Sequence, residues 1–324
     1  MTPRTALLAT STTLFLFTAA ATTRADAGDP LGLLDANARR ALAVQVALDR
    51  AGFSPGEIDA AAGNNTSRAT KAFEQAKGSA PTEYAEPVIE YEITSDDAAG
   101  PFAPVPADMM EKSKLPALGY ASILEMLAER FHASPKLLQR LNPGARFEGG
   151  ERVSVPNVEP FIAPAAAPAN TAAASPGQAR AAKKVAGPPV TVTVKDSTKS
   201  LEVKNEAGET VFFAPVTVGS EHDPLPVGEW KVTGVSSNPP FNYNPDLFWD
   251  ADASHSKAKI APGPNNPVGI VWIDLTKEHY GIHGTPEPNR IGYTQSHGCI
   301  RLTNWDATRL AALVSPGTKV VLTN

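Results

Sequence analysis

Cysteine is nearly missing from this chain: Cys299 is the only one in 324 residues. No disulfide can form within the chain, so its stability must come from packed cores. Long apolar runs are also missing. After the N-terminal segment none approaches the roughly 18 residues of a spanning helix, so no membrane span is expected in the body of the protein. Basic blocks are absent too, and 29 Lys and Arg against 34 Asp and Glu leave a formal charge of −5. That balance lacks the positive stripe by which nucleic-acid binders hold phosphates. What the chain has in quantity is proline: thirty residues, many clustered, mark the joints between folded segments.

The lone cysteine has informative neighbours. His283-Gly284-Thr285-Pro286 precedes it, and it lies within Ser296-His297-Gly298-Cys299-Ile300-Arg301-Leu302-Thr303-Asn304. A thiol attacks as the thiolate and needs a base or a positive field to form it. An imidazole can take that proton and later return it to a leaving amine. A histidine-paired thiol is therefore expected to react below about pH 8.5, the value of a free thiol. Glycines beside His283 and Cys299 allow backbone N–H groups to approach a reacting carbonyl oxygen. These are the parts for acyl transfer through a thioester. A lone cysteine without such context is most often a small buried hydrophobe.

The stretch resembles the active-site signature of the L,D-transpeptidases, enzymes that cross-link bacterial peptidoglycan. The matching residues are His-Gly-Thr at 283–285, Ser-His-Gly-Cys-Ile-Arg-Leu at 296–302, and Asn304. Zinc is the competing use for His279, His283, His297 and Cys299. The segment 279–283 reads as extended, so its two histidines would stand roughly 13 Å apart, at about 3.3 Å per residue. One ion with bonds of about 2 Å cannot span them. A helical segment would remove that objection.

Residues 1–27 are expected to be a secretory leader. Arg4 is followed by the small, apolar stretch 6–20, and Ala25-Asp26-Ala27 is a cleavage pattern. No lipid-attachment cysteine follows it, so a protein exported to the periplasm or cell wall is expected. Residues 28–80 predict a helical module with helices over 38–50 and 66–76, the second capped by Asn65 or Thr66. Gln45, Gly52, Ile58-Asp59, Thr66 and Phe73 resemble the pattern of peptidoglycan-binding domains, although Ala60 stands where that family usually has glycine. A plain helical spacer is the other reading. Residues 81–116 form a connecting segment with one strand over 88–94. Residues 117–158 resemble a lysin motif (LysM), with helices at 122–131 and 134–141, Leu141-Asn142-Pro143, and a closing strand at 152–156. His132 is expected at the surface, at a helix end. The Ala/Pro-rich segment 159–187 reads as a linker separating front modules from the remainder.

Residues 188–324 predict a mostly β, sandwich-like domain with one helix over 305–314, opened by Thr303 and Asp306. Its strands are expected at 190–195, 200–204, 211–219, 228–235 and 319–323, with 268–275 buried on both faces. The stretch 238–266 carries Phe241, Tyr243, Phe248 and Trp249 and suits either a lid or packing over the sandwich.

What the resemblance implies is specific. Cys299 is the nucleophile and His283 the proton acceptor and donor, with Gly284 orienting its imidazole through a backbone carbonyl. N–H groups of His297, Gly298 and Cys299 form the oxyanion hole, and His297 is structural rather than a second base. Arg301 and Asn304 are assigned to substrate binding. Arg301 is equally suited to holding the site together, and Ser296 and Asn304 to supporting hydrogen bonds. No cofactor or metal is required. The implied partner is peptidoglycan: a stem tetrapeptide donor, an amine acceptor, and glycan through the front modules. A carbapenem is the implied covalent inhibitor. An L,D-carboxypeptidase and a non-catalytic wall-binding protein remain the alternatives.

Overall fold

The computed structural model describes residues 29–163 and 189–324. The expected leader and most of the expected linker lie outside the described residues. Helices α1 (Ala36–Arg50) and α2 (Asn64–Lys77) come first. Asp35 caps α1 by accepting from the Ala38 N–H, which satisfies one of the donors a helix start leaves open. The cap of α2 is Gly63, which has no side chain to bond, rather than Asn65 or Thr66. Both of those are buried inside the helix instead. Gln45 fastens the two helices together. Its amide donates to Asp59, Ala61 and Thr66 and accepts from the Ala60 N–H, so a buried carboxamide is left with no unmet demand.

Next come β1 (Val88–Glu92), α3 (Ser95–Ala98), α4 (Met109–Ser113), α5 (Ile123–Arg130), α6 (Pro135–Leu141) and β2 (Arg152–Pro156). Strands β1 and β2 pair antiparallel from Val88↔Pro156 to Glu92↔Arg152. The expected boundary between 81–116 and 117–158 therefore cuts through one β-α-α-β unit. Its first strand is the one at 88–92, and an insertion carrying α3 and α4 separates it from α5.

The C-terminal strands are β3 (Val190–Lys195), β4 (Ser200–Asn205), β5 (Thr210–Pro215), β6 (Gly228–Ser237), β7 (Phe241–Tyr243), β8 (Ala258–Ile260), β9 (Val271–Leu275), β10 (Gly281–His283) and β11 (Ile300–Arg301). Helix α7 (Asn304–Leu313) and β12 (Lys319–Thr323) complete the chain. Eight strands form one continuous sheet, ordered β11-β10-β9-β6-β12-β3-β4-β5, with β7 and β8 as a separate hairpin. Pairing is parallel at β10–β11 and β12–β3 and antiparallel elsewhere, and β6 passes from the β12 side to the β9 side through a register shift between Val232 and Gly234. The sheet's ends meet: just past β5, Thr217 exchanges hydrogen bonds with Arg301 of β11, at 3.1 and 2.8 Å. That accounts for the expected strand 211–219 stopping at 215 in the main ladder. Strand β9 alternates buried and half-buried residues, so its two faces are not covered equally.

The front region packs on the C-terminal sheet, contrary to the expected separation. Phe53 lies against the edge strand β5, where Ser54 N–H donates to Phe213 O (2.8 Å) and Phe213 N–H to Gly52 O (2.9 Å). Pairing of this kind covers an edge that would otherwise be open to other strands. Asp49 takes two bonds from Arg309, at 3.0 and 2.8 Å. His132, expected at the surface, is 1% exposed, 3.0 Å from Asp49, and stacked on Trp305 of α7. Even Phe161, at the start of the expected linker, sits in the core of the C-terminal sheet.

Candidate active site

The two short strands β10 and β11 build the site. They run parallel with Ile282 opposite Ile300 and His283 opposite Arg301. Both isoleucines point into the core, at 1% and 0% exposure. Alternation along strands therefore sends His283, Arg301 and the preceding Cys299 to the opposite face. Cys299 is level with Gly281, where a Cβ would lie 2.6 Å from the Trp272 ring, so only glycine fits beside the nucleophile. Cys299 is half-exposed, and its Sγ lies 3.9 Å from the carbonyl oxygen of His279.

His283 is 3% exposed and lies flat on Trp272, ring centroids 5.4 Å apart. Its Nδ1 is 2.6 Å from the Gly284 carbonyl oxygen. A carbonyl only accepts, so Nδ1 carries the proton and Nε2 offers the lone pair. Burial, and then the Arg301 cation, push the imidazole pKa down to about 3, against the pull of the Gly284 carbonyl. Burial also raises the Cys299 thiol, opposed by the Gly281 N–H and by Arg301. Both shifts favour the neutral forms, a thiol at Cys299 and an imidazole at His283. The direction of the Cys299 shift runs against the enhanced reactivity expected below pH 8.5.

The turn into Cys299 is tied locally. Ser296 Oγ donates to the Cys299 carbonyl at 2.6 Å, and Ser296 N–H donates to Val218 O. Gly298 has φ +100, and a Cβ there would meet the Tyr280 ring at 3.0 Å. The N–H groups of His297 and Gly298 have no acceptor among the described residues, which leaves them available to an oxyanion. His297 is held by Asp250, 2.7 Å from Nε2, and by the edges of Phe248 and Trp249. Arg301 keeps a buried Nε without a partner. Of the two roles expected for Asn304, substrate binding and supporting hydrogen bonds, the structure gives it the second. It is fully buried, and its amide is engaged by the Ile270 N–H, the Pro264 carbonyl and Glu129, so it cannot touch substrate.

Residues 189–322 match the family model described as the L,D-transpeptidase catalytic domain (YkuD). This part of the chain is similar to that family. Relatives named as L,D-transpeptidases agree. YkuD of Bacillus subtilis (strain 168) is 31% identical over 133 residues, 41% of this chain and 64% of that protein. YkuD of Bacillus licheniformis is 50% identical over 62 residues, 19% of this chain and 38% of that one. The chain thus spans less than two thirds of each of these relatives. A solved L,D-transpeptidase 3 from Mycobacterium tuberculosis is 18% identical, covering 43% of this chain and 62% of that one, with a TM-score of 0.36.

Several residues around the site escape a reading by motif. Tyr280 stands against Gly298, Trp272 under His283, and Asp250 on His297. The aromatic cluster at 241–249 signalled a wall, but nothing in the sequence says which of its residues meets His297. The hairpin β7–β8 packs on the front insertion rather than over the C-terminal sheet. Tyr243 and Ile260 pack with Leu118 from the front insertion, and the tip carries Phe248 and Trp249 to the site.

Proposed function

We propose that the protein is an L,D-transpeptidase acting on peptidoglycan stem peptides outside the cytoplasm. Cys299 Sγ attacks the carbonyl carbon of the diamino acid at position three, and His283 Nε2 takes the thiol proton as the S–C bond forms. The oxyanion is received by the free N–H groups of His297 and Gly298, with that of Cys299. The tetrahedral adduct collapses, the C–N bond to D-Ala breaks, and His283 returns its proton to the leaving amine. An amine of a second stem then attacks the thioester, loses its proton to His283, and releases the thiol. Arg301, with its unpartnered Nε, is suited to a substrate carboxylate. Each step moves one proton through one imidazole, and the supporting observation is the Nδ1–H···O=C bond to Gly284, which aims Nε2 as base.

The test is mass spectrometry of muropeptides after incubation with the pure protein. Dimers linked 3–3 are expected, whereas tripeptides alone would mean that water is the acceptor. A carbapenem is expected to acylate Cys299 and add its full mass. The front region, with its β-α-α-β unit and Gln45-centred helices, is proposed to hold glycan. The whole protein should pellet with purified sacculi, and staying in the supernatant would remove that role.

A further inference from the structure

We infer that Glu129, a residue of the front region, is a positioning residue for the Cys299–His283 pair, acting through Asn304. The inference rests on the acyl-transfer reading above. Glu129 is on α5, buried, and its Oε1 accepts from Asn304 Nδ2 at 2.6 Å. Its Oε2 accepts from the Tyr120 hydroxyl at 2.5 Å, which fixes the carboxylate from the far side. Asn304 opens α7 and is wholly buried. Its Oδ1 accepts the Ile270 N–H at 3.2 Å and is wedged between two glycines. A Cβ on Gly269 would lie 2.0 Å from that oxygen, and one on Gly284 would lie 2.1 Å from it. Gly284 is the residue whose carbonyl holds His283 Nδ1.

The chain of contacts therefore runs from Glu129 to Asn304, to the Gly284 backbone, to the catalytic imidazole. Chemistry gives it a direction. A carboxamide has one accepting and one donating end. The acceptors on one side, Glu129 and Pro264 O, and the Ile270 donor on the other allow a single orientation. Without Glu129 one N–H of a fully buried amide has no partner, and the group is freer to rotate or flip. Either motion crowds the space at Gly284 and moves the carbonyl that aims His283. A displacement of about 1 Å in a catalytic group can lower a rate about 100-fold. No motif marks Glu129, because it lies 175 positions from Asn304 in the chain.

The experiment uses the full chain as wild type, Glu129→Ala and Glu129→Gln. Glutamine keeps an acceptor for Asn304 and presents its N–H₂ to a tyrosine hydroxyl, which can accept. The first readout is the rate of carbapenem acylation at Cys299 against drug concentration, followed by intact mass. The second is the proton NMR line of the His283 Nδ1–H in the resting protein. Glu129→Ala is expected to lower the limiting acylation rate on the order of 10- to 100-fold, with the half-saturating concentration little changed. Its His283 line should shift or broaden, and Glu129→Gln should restore both. A Glu129→Ala protein of lowered Tm, but with the wild-type rate and an unmoved line, overturns the inference and leaves Glu129 merely structural. Should Glu129→Ala fail to fold, Glu129→Asp decides by the same readouts, since it keeps the charge but loses the reach. A wild type that takes no carbapenem defeats the acyl-transfer reading instead, and the NMR line still judges the positioning.

Discussion

At Cys299 two effects compete, and burial wins. The Gly281 N–H and the Arg301 cation favour the thiolate, yet the thiol stays above its ordinary value. His283 remains neutral down to about pH 3, so it supplies no resting positive charge. Alkylation of Cys299 by iodoacetamide should therefore be slower at pH 7 than that of a free thiol and still be rising above pH 9. Arg301→Ala removes a favourable cation and should move that profile to still higher pH. His283→Ala should scarcely shift it, while carbapenem acylation falls roughly 10²- to 10⁴-fold with the loss of the base. A plateau of fast alkylation below pH 8 would contradict this account and indicate a resting ion pair. The Gly284 contact of His283 was legible in the motif because it is local in sequence. For Asn304 the motif left two roles open, because its position says nothing of burial, and burial is what turns a polar side chain from a ligand contact into a brace.

Among the elements, the hairpin β7–β8 is held from outside its own domain. Leu118, fully buried, packs with Tyr243 and Ile260. Its N–H donates to Pro262 O, and its carbonyl accepts from the Asn265 N–H. Leu118→Ala keeps those backbone bonds but opens a cavity, at a cost of about 2–5 kcal/mol. Thermolysin should then cut within 238–266 faster than in wild type, and the half-saturating carbapenem concentration should rise as the Phe248–Trp249 edge loosens. Unchanged cleavage would mean that the insertion does not brace the hairpin. Most strands and helices were readable from alternation and caps, including the Thr303 cap. Pairing partners were not. Nothing local tells the strand at 88–92 that its mate lies at 152–156, or the segment after β5 that it must close on β11.

For the whole molecule, composition misled. An Ala/Pro-rich stretch suggested modules on a string, whereas the contacts that join the two regions are single residues scattered along the chain. Two of the buried acids there respond to pH. Burial pushes Glu129 and Asp306 each up to about 7. A carboxyl raised in the folded state contributes stability that is present below its unfolded value and is lost as pH rises through the folded one. Glu129→Gln should thus gain on wild type between pH 5 and pH 8, by about 5 °C in Tm, and a constant difference would refute the shift. Asp49 behaves in the opposite way. Burial works against its carboxylate, but His132 and Arg309 together hold it well below the usual range. That ion pair spans the two regions and is buried at the Asp49 end. Removing one partner from such a pair costs roughly 3–5 kcal/mol. A protease site placed within 164–188 permits a direct test. After complete cleavage the two pieces should still elute together and melt in one transition, because the packed interface, not the connecting segment, holds them. The same cut in an Asp49→Ala background should release them, since Arg309 and His132 then lose the carboxylate between them and Arg309 keeps only the longer pair with Asp306, at 3.8 Å. If the wild-type pieces separate on cleavage, the interface is too weak to unite the molecule, and the C-terminal sheet must stand alone.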